Sequence, residues 1–355
     1  MKVFDFLIVG GGIAGTTLAW KLHERGLDFA LLDKIQEGNS SRVSAGLINP
    51  VTGMRFVLSW KFSQLENCFL PFYQKLSSQF QTDLLVEMPL YQQLNGEADA
   101  NQWMAKSQDI YYEQYLERVY HSKAIPSLQN IPFDATVGVI KKAYRLDVQK
   151  YLTSVSSHLT NSGIWFEEVC DPNAWHYENQ TWCNGNFAAR KAVIFAEGYH
   201  AAYNPFWKNV PIIPLKGECS FFFSDSMTLN GILKLNYTIV PLGQHAFWCG
   251  SSFKPNDDSL FPDSKELHLQ KDFIHTATAA SFHSIKGTYG IRPASRDRRP
   301  LVGKHNEIPE FYFFNGFGTK AASLVPYCAD QLIANLLSNK PIDPEISLNR
   351  IWKRV

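Results

Sequence analysis

Residues 4–33 read FDFLIVGGGIAGTTLAWKLHERGLDFALLD, and this stretch decides the fold. Phe4–Val9 is an apolar run broken only by Asp5, suited to a strand buried on both faces of a parallel sheet. Gly10, Gly12 and Gly15 then occupy the three places of a G-x-G-x-x-G turn, with Ile13 and Ala14 between them. From Ile13 to Glu24, Leu18, Ala19 and Leu22 supply the inner face of a helix that Gly26 can cap. Phe29–Leu32 is a second apolar strand, and Asp33 ends it. Strand, glycine turn, helix, strand and acid in that order predict an α/β unit that binds a dinucleotide. Gly10 permits the tight turn, Gly12 leaves room for a pyrophosphate beside the backbone, and Gly15 lets the helix lie against the sheet. The helix N-terminus offers unpaired N–H groups to the phosphates. Asp33 stands where an acid accepts from a ribose diol, and its charge disfavours a 2′-phosphate. The motif alone does not separate FAD from NAD.

Length and charge bound the rest. A chain of 355 residues, 45% hydrophobic, is long enough for two packed domains and too apolar to be disordered. Its 34 basic and 33 acidic residues leave a net charge of +1, which gives no global attraction for nucleic acid or an anionic membrane. No apolar stretch reaches the ~18 residues of a membrane span, and the opening residues lack a secretory pattern. The cysteines, Cys68, Cys170, Cys183, Cys219, Cys249 and Cys328, show no CxxC or metal-ligand spacing. They read as buried thiols in a reducing, cytoplasmic setting with no metal site.

Beyond Asp33 and Lys34, residues 39–53 (NSSRVSAGLINPVTG) form a polar, glycine-bearing loop. It directly follows the ribose strand, so Arg42, Ser44, Ala45 and Gly46 are candidates to face the cofactor, or the loop is simply solvated. Aromatic and leucine spacing predicts a helix from about 56 to 80, interrupted at Pro71, and another over 147–159. Asn184-Gly185 marks a hairpin turn. Ala192–Ala196 is a buried strand ending in Glu197 and Gly198, so the sheet begun at residue 4 is revisited after a long insertion. Residues 236–241 and 246–251 read as neighbouring strands, and 287–303 as dense with turns and charge. An aromatic strand, Phe311–Phe314, leads through the break Asn315-Gly316-Phe317-Gly318 to a helix from Ala321 to Leu337.

VGGGIAGTTLAWKL, LLDK, FAEG, PLKGE at 214–218, GIRPASRDRRPLVG at 290–303 and FFNGFGTKAASLVP at 313–326 together resemble the D-amino acid oxidase superfamily. That superfamily includes glycine oxidase, sarcosine oxidase and the C-terminal oxidase domain of a bifunctional tRNA wobble-uridine enzyme. The resemblance implies an α/β fold in two domains. A Rossmann-like FAD-binding domain is assembled from 1–55, 141–210 and 286–355. A substrate domain on a large antiparallel or mixed sheet takes 56–140 and 211–285. It also implies that Arg292, in GIRP, clamps a substrate carboxylate and that Tyr237 lies near the same group. Gly290 falls where sarcosine oxidases carry the cysteine bonded to flavin, so FAD is expected to be non-covalent. Asn315 to Thr319 resemble the loop whose backbone approaches the flavin, and Lys320 follows it.

The chemistry implied is hydride transfer to flavin from a carbon bearing an amine, with oxygen or another acceptor restoring the flavin. An arginine suits this task because its planar fork grips both oxygens of a carboxylate. A protein acid, Asp297, competes for the same guanidinium, and Lys320 either offsets charge on reduced flavin or faces solvent. Two other functions remain open from residues alone: a flavoenzyme acting on a modified nucleoside of tRNA, which the neutral charge disfavours, and a flavin-binding protein with little turnover.

Overall fold

β1 (Lys2–Val9), α1 (Ile13–His23) and β2 (Phe29–Leu32) form the expected unit in a computed structural model, which describes residues 1–129, 131–278, 281–282 and 284–352. β1 runs parallel to β2 on one side and to Phe187–Phe195 on the other. The second half of β1 and all of β2 are buried, which explains their unbroken apolar sequence. The first sheet runs Trp165–Phe166, β2, β1, Phe187–Phe195, Phe311–Asn315, Leu301–Lys304. A hairpin, His176–Glu178 with Thr181–Asn184, pairs antiparallel with the first half of Phe187–Phe195, turning at Asn184-Gly185 as expected. α1 packs on the helix Ala321–Ser338, tied by Lys21 Nζ to Asp330 at 2.9 Å.

The second sheet has ten strands. Its path is Lys254–Pro255, Ile212–Phe223, Ala246–Gly250, Thr238–Gly243, Ile232–Lys234, Leu85–Gln93, Thr136–Leu146, Leu47–Ile48. Ser284–Ser295 pairs with Ile212–Phe223, and Leu116–His121 with Thr136–Leu146. Pairing is antiparallel except between Ile232–Lys234 and Leu85–Gln93. One face, with Leu90, Cys219, Ile232, Val240 and Trp248, shares a core with Ile8, Leu18 and Val325 of the dinucleotide side. The opposite face, with Leu233, Ile239, Phe247 and Cys249, is covered by the helix Ser264–Thr278 through Ile274.

Three expectations need correction. Residues 284–295 are one continuous strand rather than turns, and the turn begins only at Arg296. Its glycines mark close approaches: a Cβ on Gly287 would lie 2.9 Å from Leu267 Cδ1, and one on Gly290 2.6 Å from Val43 Cγ2. Pro71 does not interrupt the helix Phe62–Phe80, whose buried face of Leu65, Phe69, Phe72 and Leu76 carries it through. The helix begins at Phe62, after Lys61 with φ of 47°, not at residue 56. Finally, Leu47–Ile48, the end of Thr136–Leu146 and most of Ser284–Ser295 belong to the second sheet, although they fall within the ranges 1–55, 141–210 and 286–355.

Candidate active site

The carboxyl ends of β1, Phe187–Phe195 and Phe311–Asn315 converge on a cleft of about 940 Å³, open to solvent. Ligands of open α/β sheets bind at such strand ends. Gly10, Gly12, Ile13, Ala14, Asp33 and Lys34 line it from the first unit, Ala196, Glu197 and Gly198 from the second, and Asn315, Phe317 and Gly318 from the third. Pieces separated by more than a hundred residues thus meet at one edge, because β1 and Phe187–Phe195 are neighbours in the sheet.

Each glycine of the turn is fixed by a measurable approach. Gly10 has φ of 106°, and a Cβ there would sit 2.5 Å from the Ala196 carbonyl oxygen. A Cβ on Gly15 would lie 1.8 Å from the Gly10 carbonyl oxygen, so the helix rests directly on the turn. Gly12 is the N-cap of α1 and offers no side-chain cap of its own, and one of the first turn's N–H groups is taken by a neighbouring loop. Ser41 Oγ accepts from Ile13 N at 3.2 Å. Asp33 Oδ1 accepts from Gly11 N at 2.8 Å, and among the described residues no donor meets its other oxygen. Burial pushes the Asp33 carboxyl up, opposed by the Gly11 N–H and the Arg42 charge. An acid anchored by one oxygen, a helix N-terminus whose N-cap glycine adds no side chain, and a side-chain-free turn fit a dinucleotide's ribose and pyrophosphate.

The later segments are held to this edge. Asn315 Nδ2 donates to the Gly198 carbonyl at 2.8 Å, and Asn315 Oδ1 accepts from Gly316 N at 2.9 Å. Gly318 N donates to the Pro293 carbonyl at 3.0 Å, tying the glycine break to the strand that bears Arg292. Glu197 is half-buried at the cleft wall, its oxygens accepting from Asn204 Nδ2 at 2.9 and 3.2 Å, and burial raises its carboxyl to about 7.

Several expected contacts do not line the cleft. Ser44 is exposed and bonds back to Ser41, Ala45 is in the core, and a Cβ on Gly46 would come within 1.8 Å of the Leu146 carbonyl oxygen. Gly290 faces the 40–43 turn, Gly316 is buried behind the cleft, and Thr319 is exposed. Arg42 lies within electrostatic reach of Asp33, and its Nε is buried without a partner. Sequence reading missed Gly11, Ser41, Glu168, Val169, Cys170, His200, Ile291 and Pro293, all of which line the cleft. Only Gly11 carried a signal: a Cβ there would lie 2.5 Å from Trp165 Cζ2. The others arrive by strand pairing.

Arg292 projects from the second sheet on the face shared with the dinucleotide side, over Gly217, where a Cβ would lie 2.1 Å from its Nη1. Nη2 donates to Ser251 Oγ at 2.6 Å, while Nη1 is buried with no partner among the described residues. Asp297 does not compete: it pairs with Arg350, Oδ2 to Nε at 3.1 Å. Burial lowers the guanidinium's affinity for its proton, and no carboxylate opposes this. Tyr237 is not brought to Arg292. Its hydroxyl donates to Glu266 Oε1 at 2.7 Å and its ring packs on Phe273, both on the helix covering the opposite face. The neighbouring Thr238, registered with Gly250, stands on Arg292's face instead. Lys320 is the N-cap of Ala321–Ser338, and its Nζ bonds to the hydroxyls of Thr52 at 3.3 Å and Ser59 at 3.2 Å.

The family model for FAD-dependent oxidoreductases of the DAO group matches residues 5–336. The chain belongs to this family. FAD is therefore the dinucleotide to which the cleft's features correspond. Glycine oxidase of Bacillus subtilis (strain 168) is 20% identical, over 96% of this chain and 95% of its own. The glycine oxidase structure from Geobacillus kaustophilus superposes with a TM-score of 0.81 at 21% identity, covering 99% of each chain. Iminodiacetate oxidase from Chelativorans sp. BNC1 gives 0.77 at 17% identity, covering 96% of this chain and 98% of its own. At these identities the solved structures establish the fold. Among the described residues, no helix is long and apolar enough to cross a membrane.

Proposed function

We propose that this chain oxidises the C–N bond of a small amino acid or secondary amine, with FAD held non-covalently. FAD, when bound, supplies an acceptor for a hydride leaving the carbon that bears the nitrogen; the resulting imine takes up water and splits into an oxo acid or aldehyde and an amine. The protein's task is to place that carbon. Asp33 and the glycine turn hold the ADP half, the Glu197-Gly198 and Asn315–Gly318 segments border the rest, and Arg292 grips the carboxylate. In this reading 1–55, 141–210 and 286–355 chiefly carry the cofactor, and 56–140 and 211–285 wall the substrate, with the strand of Arg292 joining the two. A neutral amine needs no protein base at carbon. The named activities of the relatives, on glycine and iminodiacetate, likewise concern amines that carry carboxylates.

One observation carries the reading: a buried guanidinium with an unpartnered nitrogen and no protein carboxylate. Such a group is costly to bury unless an anion meets it. Non-covalent attachment is favoured by Gly290, which has neither a thiol nor space for a side chain. Purified protein should show a flavin spectrum, and acid precipitation should release the colour to the supernatant. Anaerobic mixing with glycine, sarcosine, proline and D-amino acids should bleach the flavin with at least one of them. A flavin that none of these amines reduces would refute the proposed reaction, and colour left in the pellet would refute non-covalent binding.

A further inference from the structure

The dinucleotide cleft sets acids against a ligand that is itself an anion. Asp33, Glu168 and Glu197 line it, and FAD brings two phosphates. Asp33 is supported by the Gly11 N–H and by the charge of Arg42. Glu197 has no such support. Among the described residues it has no ion pair, and its only side-chain donor is the neutral amide of Asn204. That amide is fixed in orientation, because Asn204 is buried and its Oδ1 accepts from Phe206 N at 3.1 Å. Both carboxyl oxygens therefore share one nitrogen and keep capacity for a further partner.

Its place makes the missing cation matter. Glu197 follows the strand Phe187–Phe195, and its Cα would lie 3.2 Å from a Cβ on Gly10. It stands against the glycine turn that fits the pyrophosphate. Glu168 and Cys170 share this wall, Tyr199 and His200 come from the turn that follows, and Asp33 and Lys34 from the end of β2. Burial, then the charges of Glu197 and Glu168, pushes the Cys170 thiol up to about 12. Burial also raises the Tyr199 phenol and lowers His200, so all three are neutral near pH 7. Lys34 is exposed, and neither it nor Arg42 shifts the Glu197 carboxyl. Burial sets that carboxyl at about 7, opposed only by the Asn204 amide.

An ionised carboxylate at this turn repels phosphates across a poorly screened gap. A protonated one does not, and it gains an O–H to donate. We propose that Glu197 is protonated whenever FAD is bound and donates its O–H toward the cofactor, so that FAD enters the cleft together with one proton. The proton comes from solvent on loading and returns to it on release, and no other bond is made or broken. The sign follows from linkage: the free cleft holds this proton below about pH 7 and must acquire it above, so FAD affinity is flat in acid and falls as pH rises. The proposal rests on the cleft taking FAD and is independent of the amine substrate.

The test needs no turnover. Apo-protein is titrated with FAD in a calorimeter at about pH 8, once in Tris and once in Hepes, whose heats of ionisation differ, so that the difference in heat counts the protons taken up. FAD has no group that titrates near neutrality. The unaltered chain should take up nearly one proton per FAD at about pH 8 and almost none at about pH 6, and its Kd should rise by up to about tenfold per pH unit above neutrality. Glu197→Gln keeps the shape and the Asn204 contact without the charge. It should take up no proton and, at about pH 8, bind FAD about tenfold more tightly than the unaltered chain. Absence of uptake by the unaltered chain at about pH 8 would overturn the proposal without recourse to any variant. Uptake retained in Glu197→Gln would also overturn it and move the proton to a neighbour such as His200. A chain that binds no flavin at either pH would refute the cofactor reading and the proposal with it, whereas flavin bound without a proton would refute the proposal alone.

Discussion

The two layers that meet at the cleft are built by opposite means. On the dinucleotide side the cleft is mostly backbone: glycines that leave side-chain space empty, a helix end whose N-cap is a glycine, and one acid anchored by Gly11. The second sheet presents side chains instead: Arg292 and Thr238 stand on one face of strands far apart in sequence. The first kind of site is local, and its geometry is closed within thirty-odd residues. The second exists only after the second sheet has paired.

Breaking the backbone side should have the largest effect. Gly15→Val places a Cβ 1.8 Å from the Gly10 carbonyl oxygen, where no rotamer change helps. Overpacking of this kind costs about 1–3 kcal/mol and more when backbone must move. The variant should lose FAD and unfold at lower denaturant, as urea titration of the purified protein would show. Retention of both stability and flavin would contradict the described approach of helix to turn.

Glu197 sharpens the comparison, because it is, like Asp33, an acidic side chain in a site made mostly of backbone. Its carboxyl is raised from 4.5 to about 7 by burial. The folded chain thus keeps a proton that the unfolded chain releases above the ordinary glutamate range. The sign follows: stability is fully present at low pH, declines as pH rises from 4.5 to about 7, and is flat above. The total is about 3 kcal/mol. Thermal melting of FAD-free protein from pH 4.5 to 8 should show this decline, and Glu197→Gln should remove it. An unchanged profile in the variant would assign the pH dependence elsewhere.

Asp33→Ala should be milder. It removes one charge-assisted partner at the ribose position and frees the Gly11 N–H, weakening FAD by about 1–3 kcal/mol. That is roughly tenfold to a hundredfold in Kd, measured by titrating apo-protein. Equal affinities would remove Asp33 from the cofactor site.

The same contrast decides what was legible in the sequence. β1, the glycine turn, α1, β2 and Asp33 were readable because spacing within one βαβ unit encodes them. The return strand before Glu197 and the glycine break at Asn315–Gly318 were readable as apolar runs with punctuation. The strand 284–295 was not, because its glycines and proline look like turn signals until Leu267, Val43 and Arg292 are seen to fill the space they leave. Tyr237 is placed by a related rule: alternation sends adjacent residues to opposite faces, and a one-residue offset puts Thr238, not Tyr237, on the face of Arg292. Whether Arg292 meets Asp297 could not be read from proximity in sequence, since Asp297 is taken by Arg350 from the C-terminal segment.

The account's central claim is that Arg292 is held buried and unpaired in order to grip a carboxylate. The direct measurement is anaerobic flavin reduction by the best amino acid of the panel, in the unaltered enzyme and in Arg292→Met, alongside the stability of each holoenzyme. The account predicts that Arg292→Met keeps FAD and becomes no less stable, because an uncompensated buried charge is gone. It predicts that half-saturation by the amino acid rises about ten- to a hundredfold, the loss of a charged hydrogen-bonded pair. Unchanged half-saturation in a folded, flavin-bearing Arg292→Met enzyme would contradict it.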